Sequence, residues 1–167
     1  FKSPHWKWPP FSKEKYDSIK SYYLSGEEKN KKGYPKIVER FENNFKKYQK
    51  AKYALSTNSG TSALQAAFFA VGLKEGDEVI VPALTFHATA TPVFSTNAVP
   101  VVVDCKSDTG NIDPKSIKKS ITSKTKAIVI THLCGHPCDM EEILKITKKN
   151  NLFLIEDCSH AHGSTYK

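Results

Sequence analysis

From about residue 53 the chain alternates short apolar runs with longer amphipathic stretches. The runs "YALSTN" (53–58), "DEVIVPA" (77–83), "AVPVVVDC" (98–105), "KAIVITHL" (126–133) and "NLFLIEDC" (151–158) read as strands. Several are nearly continuous in apolar residues, as strands covered on both faces must be. Between them "TSALQAAFFAVGL", "FHATATPVFSTN", "DPKSIKKSI" and "DMEEILKITKKN" read as helices. Strands alternating with helices predict an α/β fold with a mainly parallel sheet, and ligands in such sheets sit beyond the carboxyl ends of the strands. Upstream, Ile37, Val38, Phe41, Phe45 and Tyr48 recur at helical spacing with charge on the other side. This predicts an amphipathic helix with Pro35 in its first turn. Residues 1–35, rich in Pro, Lys and aromatics, read as an irregular arm with a short helix around Lys13–Tyr23.

Composition narrows the class. The 167 residues and 39% hydrophobic content fit one soluble domain with a real core. No apolar run is long enough to span a membrane, and "FKSPHWKWPPF" lacks the apolar stretch of a secretory signal. The chain begins with Phe1 rather than Met, so a trimmed start is expected. The net charge of +8 comes from scattered lysines, with Arg40 the single arginine. A nucleic-acid surface enlists arginine and interleaved aromatics, so the lysines read as solvated helix faces and loops. Four cysteines without an export signal point to free thiols in a reducing compartment, the cytoplasm.

Four stretches carry candidate chemistry. In "STNSGTSAL" a turn at Gly60 and Thr61 opens a helix, where free N–H groups and a hydroxyl suit an anion; a plain capped turn reads equally well. In "VPALTFHATATPV", Phe86 and His87 sit at a strand's carboxyl end, with core packing and surface exposure as the bland alternatives. In "THLCGHPCDM", His132, Cys134, His136 and Cys138 alternate and raise the possibility of zinc. Alternate residues of an extended segment line up along one face rather than converging. A strand leaving through a Gly-x-Pro turn, with Asp139 capping the next helix, is the better reading, and no metal is expected. In "LFLIEDCSHAHGSTYK" an apolar strand delivers Glu156 and Asp157 to the sheet mouth, with His160 and His162 close behind. A carboxylate there can pair with a cationic ligand nitrogen or a metal, or merely cap a helix.

Taken together, "GYPKIVERFE", "NSGTSALQAAFFAVGLKEGDEVIVPALTFHATA", "VPVVVDCKSDTGNIDPKSI", "TKAIVITHLCGHPCDM" and "IEDCSHAHGSTYK" resemble the DegT/DnrJ/EryC1/StrS sugar aminotransferases from about Gly33 to Lys167. The resemblance implies a three-layer α/β/α large domain over 36–167 that binds pyridoxal-5′-phosphate (PLP). It implies that Gly60 and Thr61 hold the phosphate, Phe86 stacks on the pyridine ring and Asp157 pairs with the protonated ring nitrogen. His160 falls where many members have Gln, near the ring's 3′-oxygen. Asp157 and His160 are thereby the expected catalytic contacts. An amino-acid donor and a keto sugar or cyclitol-like ketone are the implied substrates.

The family's Schiff-base lysine lies beyond the last of these motifs, after a further strand. Lys167 falls beside the tyrosine on the way out of the site and is not expected to be that lysine. The family sheet also has strands between the first and the fifth that this chain does not supply, and an open apolar edge pairs or aggregates. The expectation is a split enzyme: a second polypeptide supplies the lysine, the last strands and the small domain, and two such heterodimers pair. A cleaved piece of a longer chain and a non-catalytic ligand-binding relative are the alternatives.

Overall fold

The computed structural model describes residues 12–26 and 28–167, so the first part of the expected arm lies outside the described residues. What is described falls into two compact units, one ending at Ser56 and one running from Thr57 to Lys167.

The first unit holds two helices. Helix α1 (Lys13–Ser25) is capped by Ser12, whose Oγ accepts the Lys15 N–H. Helix α2 (Lys36–Tyr48) has the expected amphipathic spacing, and Pro35 stands just before it rather than in its first turn. The expected strand at 53–58 does not form. Tyr53 and Leu55 are exposed, and Ser56 gives both its N–H and its hydroxyl to the Glu42 carboxylate, at 2.7 and 2.8 Å. Tyr34 donates to the same oxygen at 2.7 Å. Pairing, not residue type, makes a strand, and no strand among the described residues pairs with this segment.

The second unit is built on a parallel sheet of β1 (Glu78–Pro82), β2 (Val99–Val103), β3 (Thr125–Thr131) and β4 (Phe153–Asp157), in the order β2-β1-β3-β4. Helix α3 (Gly60–Ala70) covers one face, where Leu64 and Phe68 pack on Val79, Val81, Val129 and Ile155. Helices α4 (Pro114–Ser120) and α5 (Met140–Asn150) cover the other, where Ile117, Ile143 and Ile146 meet Ile80, Ile128 and Ile130. Alternate residues of β1 and β3 therefore feed different layers, and both strands read as unbroken apolar runs. The parallel sheet is the one the sequence pattern predicts, and the three-layer α/β/α arrangement is the one the resemblance implies.

Two expected local features differ. The stretch "FHATATPVFSTN" is not an α-helix but two 3-10 segments, His87–Thr89 and Thr91–Thr96. Pro92 has no N–H to continue a helix across the junction, and the backbone bends at Ala90. Asp139 precedes α5 but its side chain does not cap it; the carboxylate takes Lys106 Nζ at 3.0 Å instead.

Candidate active site

The carboxyl ends of β1, β3 and β4 and the start of α3 surround one cavity of about 220 Å³. Gly60, Thr61, Phe86, Asp157 and His160, the five residues the resemblance assigns to the cofactor, all line it. Thr85, Thr131, Leu133 and Ser159 line it too. A larger depression of about 670 Å³ lies around Lys106, Asp113, Lys118 and Asp139. Its Lys106 and Lys118 are tied to Asp139 and Glu142, and the converging chemistry is in the smaller cavity.

Each wall has a local cause. Ser59 caps α3 by accepting the Ser62 N–H at 3.1 Å, which leaves the N–H groups of the first turn facing outward. Gly60 has no left-handed backbone, and a Cβ there would meet only Ser159 Oγ at 3.8 Å. Glycine at this position is thus not demanded by the protein's own packing; its missing side chain leaves room at the cavity wall. Phe86, 65% exposed, presents its ring to the cavity and leans on the His87 imidazole with centroids 4.2 Å apart. Asp157, the last residue of β4, is 7% exposed. Its Oδ1 accepts the Ser159 N–H at 3.1 Å and the Ser159 hydroxyl at 2.6 Å, and its Oδ2 accepts the Thr89 hydroxyl at 2.8 Å. Burial pushes this carboxyl up. The bonds from Ser159 and Thr89, with a contribution from His160, outweigh it and hold the group below its ordinary range.

The alternating His/Cys set of 132–138 does not gather. His132 turns to the opposite face of the sheet, where its ring, Glu156 and Cys158 have ligand atoms within 4.8 Å of one another. Its Nε2 lies 3.0 Å from Glu156, and its Nδ1 accepts the Cys138 N–H at 3.0 Å. Cys138, Cys158 and the Glu156 carboxylate, all close to the ring, favour its charged form. The Cys138 N–H opposes a second ring proton, because it occupies the Nδ1 lone pair. The hydrogen-bond geometry decides: the ring is neutral with its proton on Nε2, and Nε2 is not free to ligate a metal.

Lys167 takes no part in the cavity. Its Nζ pairs with Glu141 on α5 at 3.0 Å. The residues that sequence reasoning passed over are the hydroxyls: Ser159, Thr85, Thr89 and Thr131. Asp157-Cys158-Ser159 carries the signal of a carboxylate that accepts from the backbone two residues on, which was available to read. The three threonines come from distant parts of the chain and leave no pattern.

Residues 24–167 match the DegT/DnrJ/EryC1/StrS aminotransferase family. The chain belongs to this family. Its members are PLP-dependent aminotransferases, and the relatives of this chain include sugar aminotransferases. GDP-perosamine synthase of Escherichia coli O157:H7 is 47% identical over 130 residues, covering 78% of this chain and 36% of that protein. An aminotransferase from Psychrobacter cryohalolentis superposes with a TM-score of 0.90 at 42% identity, covering 95% of this chain and 40% of the other. The Bacillus subtilis protein NtdA, solved with bound pyridoxamine phosphate, superposes with a TM-score of 0.79 at 36% identity, covering 86% of this chain and 32% of its own. The chain thus spans little more than a third of the length of the relatives it matches.

The cavity fits the family's cofactor. A helix start with a hydroxyl and no side chain at Gly60 suits a phosphate. The exposed Phe86 ring offers a flat apolar wall, and a buried carboxylate held in its charged form suits a protonated ring nitrogen.

Proposed function

We propose that this chain forms the cofactor-binding part of a PLP-dependent aminotransferase. The complete enzyme moves an amino group from an amino-acid donor to a keto sugar or cyclitol-like ketone. The observation that carries the reading is the meeting of a buried ionised Asp157, the Phe86 ring and the Gly60–Thr61 helix start in one cavity. When bound, PLP supplies an electron sink whose strength depends on a protonated ring nitrogen. Asp157 keeps that proton on the nitrogen by remaining charged. Phe86 would offer its flat face to the ring and keep water from that side. Gly60 and Thr61 hold the phosphate with backbone N–H groups and a hydroxyl. His160, exposed at the rim, would hold the cofactor on the ring's oxygen side.

Among the described residues no lysine lines the cavity, and Lys167 pairs with Glu141 on α5, so the reactive lysine is proposed to come from outside these residues. We propose that a second polypeptide carries it, together with the strands that pair with the outer side of β4 and the small domain, and that two such pairs associate. Supporting this is the position of β4 at the margin of the sheet, with the 53–58 segment unpaired.

The test is purification from the native source with anything bound to the chain, followed by borohydride reduction and peptide mapping. A yellow complex with PLP fixed to a lysine on another polypeptide is the expected result. PLP fixed to a lysine of a longer continuous chain would replace the two-polypeptide part and leave the aminotransferase reading standing. Failure of the purified complex to bind either PLP or pyridoxamine phosphate would refute the cofactor reading.

A further inference from the structure

The threonines behind Asp157 are bonded in sequence. Thr85 Oγ1 lies 2.7 Å from Thr89 Oγ1 and 2.9 Å from Thr131 Oγ1. Thr89 is fully buried and lies 2.8 Å from Asp157 Oδ2. Thr131 and Asp157 are register partners on β3 and β4, so their side chains share a face of the sheet.

Each hydroxyl has one proton, and an ionised carboxylate has none. Thr89 must therefore spend its proton on Asp157. That leaves Thr85 to donate to Thr89, and Thr131 to donate to Thr85. The 3.4 Å separation between Thr89 and Thr131 is the weaker alternative for the same Thr131 proton. All three hydroxyls thus point one way, and each bond polarises the next. Oδ1 already takes two donors and Oδ2 only one. With about four acceptor positions on a carboxylate, the remaining one is on Oδ2.

We propose that Thr131, Thr85 and Thr89 form a one-way hydroxyl relay ending on Asp157 Oδ2, which lowers the basicity of the oxygen that receives the ligand's ring N–H. The relay keeps the shared proton on the ligand nitrogen rather than on the carboxylate. The threonines touch Asp157 and each other, so they are positioning residues. The role toward the ligand rests on the cofactor reading above; the relay itself does not. His160, on the loop after β4, is the ionisable neighbour that adds to the charged form of Asp157. The 85–89 segment and β3 face it with hydroxyls.

The experiment follows the Asp157 carboxyl carbon by NMR through an acid titration of the full chain. It compares the unsubstituted protein with Thr89→Val, Thr89→Ser and Thr85→Val. Thr89→Val, which keeps shape and loses the hydroxyl, moves the midpoint upward. Thr89→Ser restores it, and Thr85→Val moves it upward by less. An unmoved midpoint in folded Thr89→Val overturns the relay, as does a Thr89→Ser midpoint that matches Thr89→Val. Should Thr89→Val fail to fold, Thr85→Val decides alone: an unmoved midpoint there overturns the proposal.

A second arm adds pyridoxamine phosphate labelled with 15N in the ring. Thr89→Val shifts the nitrogen resonance toward the unprotonated form, and an unmoved resonance overturns the relay's role toward the ligand. If the unsubstituted protein, purified with whatever is bound to it, binds no pyridoxamine phosphate, the cofactor reading fails while the titration still judges the relay.

Discussion

His132 offers a sharp test because two influences on it point in opposite directions. If the ring is neutral, its value to the fold is mainly as an acceptor for the buried Cys138 N–H. Replacing it with Leu strands that N–H, at a cost of about 1–3 kcal/mol. The half-exposed Glu156 contact adds less than about 1 kcal/mol. Replacing it with Asn keeps an acceptor close to the Nδ1 position and costs under about 1 kcal/mol. The opposite case, a charged ring titrating at about 11, has a different signature. A folded value above the unfolded one contributes stability that is complete below the unfolded value of about 6.5 and is lost as pH rises through the folded value. Unfolding free energy would then fall by about 1.4 kcal/mol for each pH unit between 7 and 9. Urea unfolding of the parent, His132→Leu and His132→Asn at pH 7, 8 and 9 separates the cases. A flat profile with a large Leu effect and a small Asn effect is expected. A steady fall with pH in the parent, abolished in His132→Asn, would refute the neutral-ring argument.

Other outcomes follow from the same structure. Phe68→Ala empties a fully buried site between α3 and the sheet, and urea denaturation should show a loss of about 3–5 kcal/mol. Gly135→Ala forces a side chain onto a backbone with φ of +82° and brings its Cβ to 3.1 Å from the His160 carbonyl. A loss of about 1–2 kcal/mol in stability, together with weaker pyridoxamine phosphate binding, is expected from calorimetry. Asp157 is held below its ordinary range, so its contribution is present above the unfolded value and lost as pH falls through the folded one. Asp157→Asn should therefore flatten the acid limb of the stability profile below about pH 4, as read by circular dichroism. In Asp157→Asn the bound ring nitrogen should also lose its proton, visible in the 15N spectrum.

What the sequence makes legible depends on how locally each feature is encoded. Strands β1 and β3 are buried on both faces, so nearly every residue from Val79 to Val81 and from Ala127 to Ile130 is apolar and the run announces itself. The same logic misleads at 53–58, where apolar residues are present but no strand among the described residues pairs with them. Asp157 was legible because a carboxylate directly after "LFLI" stands at the mouth of the sheet, and Phe86 because a large ring follows a strand end. The hydroxyls behind Asp157 were not. Thr85 and Thr131 are 46 residues apart, and only the crossover of the chain from β1 to β3 brings them within 2.9 Å. Threonine is common in strands and turns, so no single one stands out. The directional order of their protons is encoded at a further remove still. It follows from the charge of Asp157, which depends on the balance between burial and the donors from Ser159 and Thr89. A carboxylate's position can thus be read from a run of letters, whereas its basicity is a property of the folded neighbourhood. That is why the chemistry of this site turns on Thr85, Thr89 and Thr131 as well as on the aspartate they serve.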